Sequence, residues 1–319
     1  MPGGASTRKY FRVHLADRPV AVAMFVPEGA KAEEVANGAV RHSASQWPFL
    51  EVRELLEARG VDVPALLGQD TDNGWLLLED LGDDTLANFL MAQPSRREAL
   101  YVRAVTDLAA AQDRLATLPA GSVVASRAFD AALLRWEIDH FREFALEARG
   151  VHLTEEDRQT FDAVADRLAR RIASWPRAFV HRDYQSRNLM VRASEALCWL
   201  DFQDALLGPR VYDLVALLND SYQTFDRAFV EARLDDYGNA RGLPASDRSA
   251  VLREFDLVTV QRKLKDAGRF VFIDRVKNNP SFLRFVEPTI EKVRVSLSRL
   301  ADDPDMHSLA GVISRSLPR

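Results

Sequence analysis

Cysteine occurs once in this chain of 319 residues, at Cys198. A lone thiol forms no intrachain disulfide, which excludes disulfide-stapled small folds and fits a reducing compartment such as the cytoplasm. Histidine is scarce as well. His14, His42, His140, His152, His181 and His307 lie apart, with no HxxxH or Cys/His cluster of zinc-site spacing. No stretch approaches the roughly 20 apolar residues of a membrane helix. The longest apolar patches, such as Leu214–Leu218, are core-sized. The opening MPGGASTRKYFRV has no apolar core behind a basic stretch, so no secretory signal and no membrane association are expected. Strong basicity is missing too. With 42 Lys and Arg against 47 Asp and Glu, the net charge is -5, which argues against nucleic acid as a partner. The 15 glycines and 14 prolines are too few for a collagenous or low-complexity chain. What is present is 47% hydrophobic and 28% charged, with length for two domains or two lobes of one fold and a substantial core.

The order of patterns predicts a two-lobed α/β (α+β) architecture. Lys9–His14 and Val20–Val26 read as strands around the turn-like Ala-Asp-Arg-Pro. Phe49, Val52, Leu55 and Leu56 form a helical stripe over Pro48–Arg59, stopped by Gly60. Val63–Leu67 and Trp75–Leu78 read as a strand pair around DTDNG. The polar link Glu79–Asp84 follows, and the lobe boundary is expected there: residues 1–80 as the small lobe, 81–319 as a larger, mostly helical one. In that lobe Ser95 and Glu98 suggest a capping box opening a helix to about Leu118. A second helix is expected over Phe129–Arg149, ending before Gly150, and a third from a Thr154 cap to about Trp175. Short apolar runs at Ala178–His181 and Leu197–Phe202 interrupt the helices, which resume over Tyr212–Asp220, Asp226–Arg241, Asp247–Asp266 and Pro288–Leu300.

Chemistry concentrates where the period changes, in FVHRDYQSRNLMV from Phe179 and WLDFQD from Trp199. Asp183 follows a short strand, Asn188 comes five residues later, and Asp201 ends the next strand. A hairpin would gather all three at one end of a small sheet. An Asn amide oxygen and an Asp carboxylate are hard ligands suited to Mg²⁺ bound with phosphate oxygens. Asp183 beside them can take a proton from a hydroxyl nucleophile. Metal clamp, base and positioning are the parts that phosphoryl transfer needs.

HRDYQSRNLMV followed by LDFQDA resembles the kinase-like phosphotransferases, a group that includes aminoglycoside phosphotransferases and choline and fructosamine kinases and, more distantly, protein kinases. The resemblance implies a two-lobed protein-kinase-like fold using ATP and Mg²⁺. It implies Asp183 as the catalytic residue and Asn188 and Asp201 as metal ligands. It implies that His181 supports the loop by hydrogen bonds, and that Asp213, in GPRVYDL, caps a helix and ties it to that loop. It also implies a hinge in LLEDLG, where backbone groups near Glu79 and Leu81 would meet the adenine edge. Glu51 or Glu54 stands where the family's first helix presents a carboxylate. The blocks GGASTRKYFRV, LLLEDLGDDTL, LDFQDALLGPRVYDLVALL and VQRKLKDAGRF resemble, in order, those of the bacterial anomeric kinases of N-acetylmuramate and N-acetylglucosamine in cell-wall recycling. That likeness implies a small sugar as acceptor.

Two features depart from the group's pattern. Only Met1-Pro2 precede Gly3-Gly4, so the small lobe is expected to lack its first strand. The strand Val20–Val26 carries no lysine, and Met24 stands in that region. Arg8, Lys9 or Arg12 can supply the positive charge, while Ser6 and Thr7 can hydrogen-bond phosphate oxygens. For the acceptor, Gln203 and Asp204 can read sugar hydroxyls. Gln261, Arg262, Lys265 and Arg269 lie close in a helical stretch, and three of them share a face that can meet a lactyl carboxylate. The alternatives are another small-molecule kinase of this fold, for an aminoglycoside, homoserine or choline, and a nucleotide-binding regulatory module.

Overall fold

The computed structural model describes residues 8–16, 18–27, 47–221 and 223–318, so Ser6 and Thr7 lie outside the described residues. The N-terminal part is a four-stranded antiparallel sheet. Its strands are β1 (Lys9–Leu15), β2 (Arg18–Phe25), β3 (Leu66–Asp70) and β4 (Trp75–Leu78), in the order β1-β2-β4-β3. Alternation drives it. Tyr10, Met24 and Leu76 align across three strands, and Met24 and Leu76 are buried. Against them packs α1 (Pro48–Ala58), whose Phe49, Leu50, Val52 and Leu56 turn inward. The turn into β4 requires Gly74. At φ 83° a Cβ there would stand 2.6 Å from the Val26 carbonyl. β3 starts at Leu66 rather than at Val63. Pro64 has no N–H for a ladder, and its carbonyl instead accepts from buried Arg53.

Helices dominate the rest. α2 (Leu86–Ala92), capped by Thr85, is too short to show a period in the sequence. α3 (Arg97–Arg114) does not open on a Ser95 capping box. Pro94–Arg96 already form a 3-10 turn, so the chain enters α3 in helical conformation with no side-chain cap. α4 (Ala131–His140) runs into a π-helical turn at Phe141–Leu146 and a 3-10 turn ending at Gly150. α5 (Glu155–Ala173) has the expected Thr154 cap.

Four short strands follow, and they form two pairs rather than one small sheet. β5 (Arg177–Val180) pairs with β8 (Leu206–Pro209), and β6 (Leu189–Val191) with β7 (Leu197–Trp199). The sequence hides β8, because Leu-Leu-Gly-Pro reads as a turn. The last helices are α6 (Tyr212–Leu218), α7 (Arg227–Ala240), α8 (Ala245–Lys277), α9 (Val286–Arg299) and α10 (Pro304–Ser316). α8 continues past Asp266, the end expected for it, to Lys277. Gly268 is there for a close crossing, since a Cβ on it would lie 2.1 Å from the His140 carbonyl oxygen of α4. One hydrophobic core runs from Met24 beneath the sheet to Ile313 in α10. No helix of the described residues is long and apolar enough to cross a membrane.

Candidate active site

The loop between β5 and β6 carries the site, and its backbone is pinned throughout. Asp213, fully buried on α6, accepts from the His181 N–H at 2.6 Å and the Arg182 N–H at 3.0 Å. It ties the helix to the loop without capping it, because the cap position is Val211. Burial pushes its carboxyl up to about 7, against the pull of those two N–H groups. Further along, Tyr184 donates to the Ala104 carbonyl at 2.9 Å and Ser186 donates to Asp220 at 3.1 Å. Arg182 holds a left-handed backbone at φ 79°, and Asp201 one at φ 61°. For non-glycine residues each costs about 1–2 kcal/mol, and such strain persists where the surroundings over-determine it.

His181 packs behind the loop. Its imidazole is fully buried, edge-on to Tyr184 and Trp199. Burial drives its pKa down to about 4, so the ring is neutral.

The structure brings Asp183, Asn188 and Asp201 together. The β6–β7 hairpin closes with the Leu200 N–H on the Asn188 carbonyl at 2.8 Å, setting Asp201 beside the loop. The Asn188 side-chain amide donates to the Asp183 backbone carbonyl at 2.8 Å, which leaves Oδ1 as its outward, hard-oxygen end. Burial raises the Asp183 carboxyl, but the charges of Arg262, Lys265 and Arg182 outweigh it and hold the group below the ordinary range. Asp201 goes the other way. Although its side chain is 45% exposed, the surrounding protein and the negative charge of Asp183 push it up. Two carboxylates set close with opposite shifts are a site that a cation would relieve. Arg8, itself buried, places its guanidinium 3.5 Å from Asp201 in this structure. No group of three or more His, Cys, Asp or Glu side chains able to hold a metal occurs among the described residues.

Several expected contacts lie elsewhere. Gln203 is buried, and its amide donates to Asp201 at 2.8 Å and Asp204 at 3.2 Å, which orients both acids. Asp204 stays partly exposed beside it. Arg262 is 1% exposed, with its guanidinium 3.6 Å from the Asp183 carboxylate. Lys265 and Arg269 are partly exposed. Lys265 pairs with Asp266 at 3.1 Å, Arg269 lies 4.7 Å over the Phe272 ring, and both feel the Asp183 charge. Arg12 is committed to the link after β4, with Asp80 at 2.8 Å and Asp83 at 2.9 Å. Glu51 accepts the Val123 N–H rather than presenting a free carboxylate.

In the link after β4 the Glu79 N–H is spent on the Ala65 carbonyl at 2.9 Å. Its own carbonyl and the Leu81 N–H make no protein hydrogen bond among the described residues. The Glu79 side chain binds Arg192 at 2.7 Å, and Arg192 also grips Asp62 at 2.6 Å. A cavity of about 480 Å³ opens beside this link, lined by Glu79, Leu81, Phe89, Val191 and Arg192 among others, and it touches none of the three central residues. Sequence reasoning missed Arg192 and Glu137. Neither belongs to a motif, and both act on partners remote in the chain.

Comparison with known proteins gives the family and the fold. Residues 1–250 match the model of the phosphotransferase enzyme family. The chain is 34% identical to the N-acetylmuramate/N-acetylglucosamine kinase of Pseudomonas aeruginosa, over 99% of this chain and 87% of that protein. It is also 34% identical to the protein of the same name from Pseudomonas putida, over 74% of this chain and 68% of that one. The choline kinase LicA from Streptococcus pneumoniae shares the fold at a TM-score of 0.61, covering 93% of this chain and 92% of its own, with 13% identity. Two-lobed and kinase-like in fold, with a family match over most of its length, the chain belongs to the phosphotransferase enzyme family.

Proposed function

We propose that this enzyme moves the γ-phosphoryl of ATP to the anomeric hydroxyl of N-acetylmuramate or N-acetylglucosamine, in recycling of cell-wall sugars in the cytoplasm. The near full-length likeness to the P. aeruginosa kinase carries the choice of acceptor. The site supports the chemistry. Asp183, kept ionised by the cations around it, orients the acceptor hydroxyl and takes its proton. Asn188 Oδ1 and the Asp201 carboxylate suit Mg²⁺, and Gln203 holds Asp201 in place for it. When bound, the ion supplies neutralisation of the phosphate charge. Arg8, whose charge already faces Asp201, is the phosphate-side cation in place of the lysine that β2 lacks. Ser6 and Thr7 complete that side in this reading.

The Glu79 carbonyl and Leu81 N–H meet the adenine edge, and the lobes divide at residues 80 and 81. Lys265 and Arg269 face the acceptor with Asp204, their charges suited to a lactyl carboxylate. The test is ATP consumption by the purified protein with Mg²⁺ over a panel of N-acetylmuramate, N-acetylglucosamine, choline, homoserine and an aminoglycoside, with the product located by NMR. A 1-phosphate of an amino sugar is expected. Turnover on another acceptor alone overturns the substrate assignment, and ATP binding without turnover on any overturns the activity.

A further inference from the structure

We propose that Arg262 of α8 is a positioning residue for phosphoryl transfer, holding Asp183 in line through the backbone of its neighbour Arg182. The inference rests on the reading of Asp183 as the acceptor's base. Arg262 is 1% exposed, and its guanidinium faces the loop. Nη1 donates to the Arg182 carbonyl at 2.8 Å, Nη2 stands 3.6 Å from Asp183 Oδ1, and Nε is 4.0 Å from Asp266. The guanidinium plane lies 4.6 Å over the Tyr212 ring. A charge this deeply buried is tolerated only where its donors are matched. Asp266 is already engaged by Lys263 at 2.9 Å and Lys265 at 3.1 Å and does not bond Nε, so the Arg182 carbonyl and the Asp183 charge are what the guanidinium is matched to.

Arg182 is the point where such a grip matters. Its left-handed backbone at φ 79° costs energy and would relax if released. The protein holds it at three places. Asp213 takes its N–H, Arg262 takes its carbonyl, and Glu137 of α4 takes its side chain at 3.4 Å. Glu137, itself fully buried, is fixed at 2.9 Å by Gln261, the residue before Arg262. Two consecutive residues of α8 thus secure both ends of Arg182. The next residue is Asp183, so the peptide plane that Arg262 clamps sets the direction in which the carboxylate leaves the loop. A displacement near 1 Å in a reacting group can cost about 10²-fold in rate.

The experiment compares Arg262→Lys and Arg262→Gln with wild type, counting sites by nucleotide calorimetry so that misfolded protein does not enter kcat. Arg262→Lys keeps a charge but loses the fork. It is the milder variant if Arg262→Gln folds poorly. The expected result is a fall in kcat of about 10–100-fold on N-acetylglucosamine and N-acetylmuramate alike, with each KM within about threefold, together with faster hydrogen exchange at the 181–188 amides. A loss confined to N-acetylmuramate and expressed in KM makes Arg262 a reader of the acid group and overturns the proposal. Unchanged kcat per nucleotide site with only a lower Tm makes it purely structural and also overturns it. Absence of sugar turnover in wild type refutes the functional reading instead. The exchange comparison then decides the Arg262 clamp by itself, with unaltered loop exchange counting against it.

Discussion

Asp183 and His181 are two residues apart, and burial works against the charge of both, with opposite outcomes. Asp183 keeps its charge because Arg262, Lys265 and Arg182 surround it, whereas His181 has lost its charge to a buried aromatic niche. Asp183→Asn is nearly isosteric, so it should leave ATP binding intact while kcat falls about 10²-fold, near the lower end for a base because an anomeric hydroxyl is comparatively acidic. Steady-state kinetics with calorimetry check this, and an unaltered kcat removes Asp183 from proton transfer. For His181 the consequence lies in stability. The unfolded ring takes its proton near pH 6.5, and the folded ring resists until about pH 4. Stability therefore falls as pH drops through that window, by roughly 3 kcal/mol at about 1.4 per pH unit, and the loss levels off below it. His181→Phe keeps the edge contacts to Tyr184 and Trp199 and removes the titration. Urea unfolding at pH 7, 6, 5 and 4 should give a shallower decline for this variant. Parallel curves would show that His181 contributes nothing to acid sensitivity.

The elements differ in how much of their design a sequence displays. β1, β2, β4 and α1 follow directly from alternation and an apolar stripe, since each needs only its own neighbours to define a face. β8 and α2 lack that signal, one ending in Gly-Pro and the other spanning 7 residues. α8 misled for another reason. Its central turns are buried on every side, from Val258 through Leu264, so no polar face marks which cation points outward. The same burial makes Gly268 critical. A methyl there would meet the His140 carbonyl oxygen at 2.1 Å and the Phe141 nitrogen at 2.8 Å, backbone atoms that cannot rotate away. The crossing falls where α4 becomes π-helical. Gly268→Ala is expected to cost about 3 kcal/mol or more and to lower Tm by roughly 5–10 °C. Gly238→Ala in α7 is the control, because a Cβ there meets nothing within 4 Å and the added helix propensity should be neutral or favourable. Equal thermal shifts in the two variants would refute the close-crossing account.

At the scale of the molecule the site is an agreement between lobes, and this is where the sequence is least explicit. The spacing of Asp183, Asn188 and Asp201 announces itself locally. What holds the small sheet over them does not, because its members are far apart in the chain. Arg12 of β1 joins Asp80 and Asp83 after β4. Arg192 leaves the end of β6 and grips Asp62, 130 residues earlier, and Glu79, 113 residues earlier. Asp62 in turn accepts the Trp199 N–H through its carbonyl at 2.8 Å. One arginine therefore joins the β6–β7 hairpin, which carries Asn188 and Asp201 at its ends, to the link that offers the Glu79 carbonyl and the Leu81 N–H. Removing it sets two carboxylates near each other with no cation between them, and frees the link to shift against the hairpin. The three side chains are each about a third exposed, so solvent screening limits the loss to about 1 kcal/mol. On this account Arg192→Ala weakens ATP binding about three- to tenfold and raises the KM for ATP in step. It leaves the acceptor KM unchanged, because Lys265 and Arg269 lie on α8, apart from this clamp. Titration calorimetry with ATP and steady-state kinetics on both substrates measure the split. Equal losses for ATP and acceptor would mean that Arg192 stabilises the fold at large, and unchanged ATP affinity would free the link from the hairpin altogether.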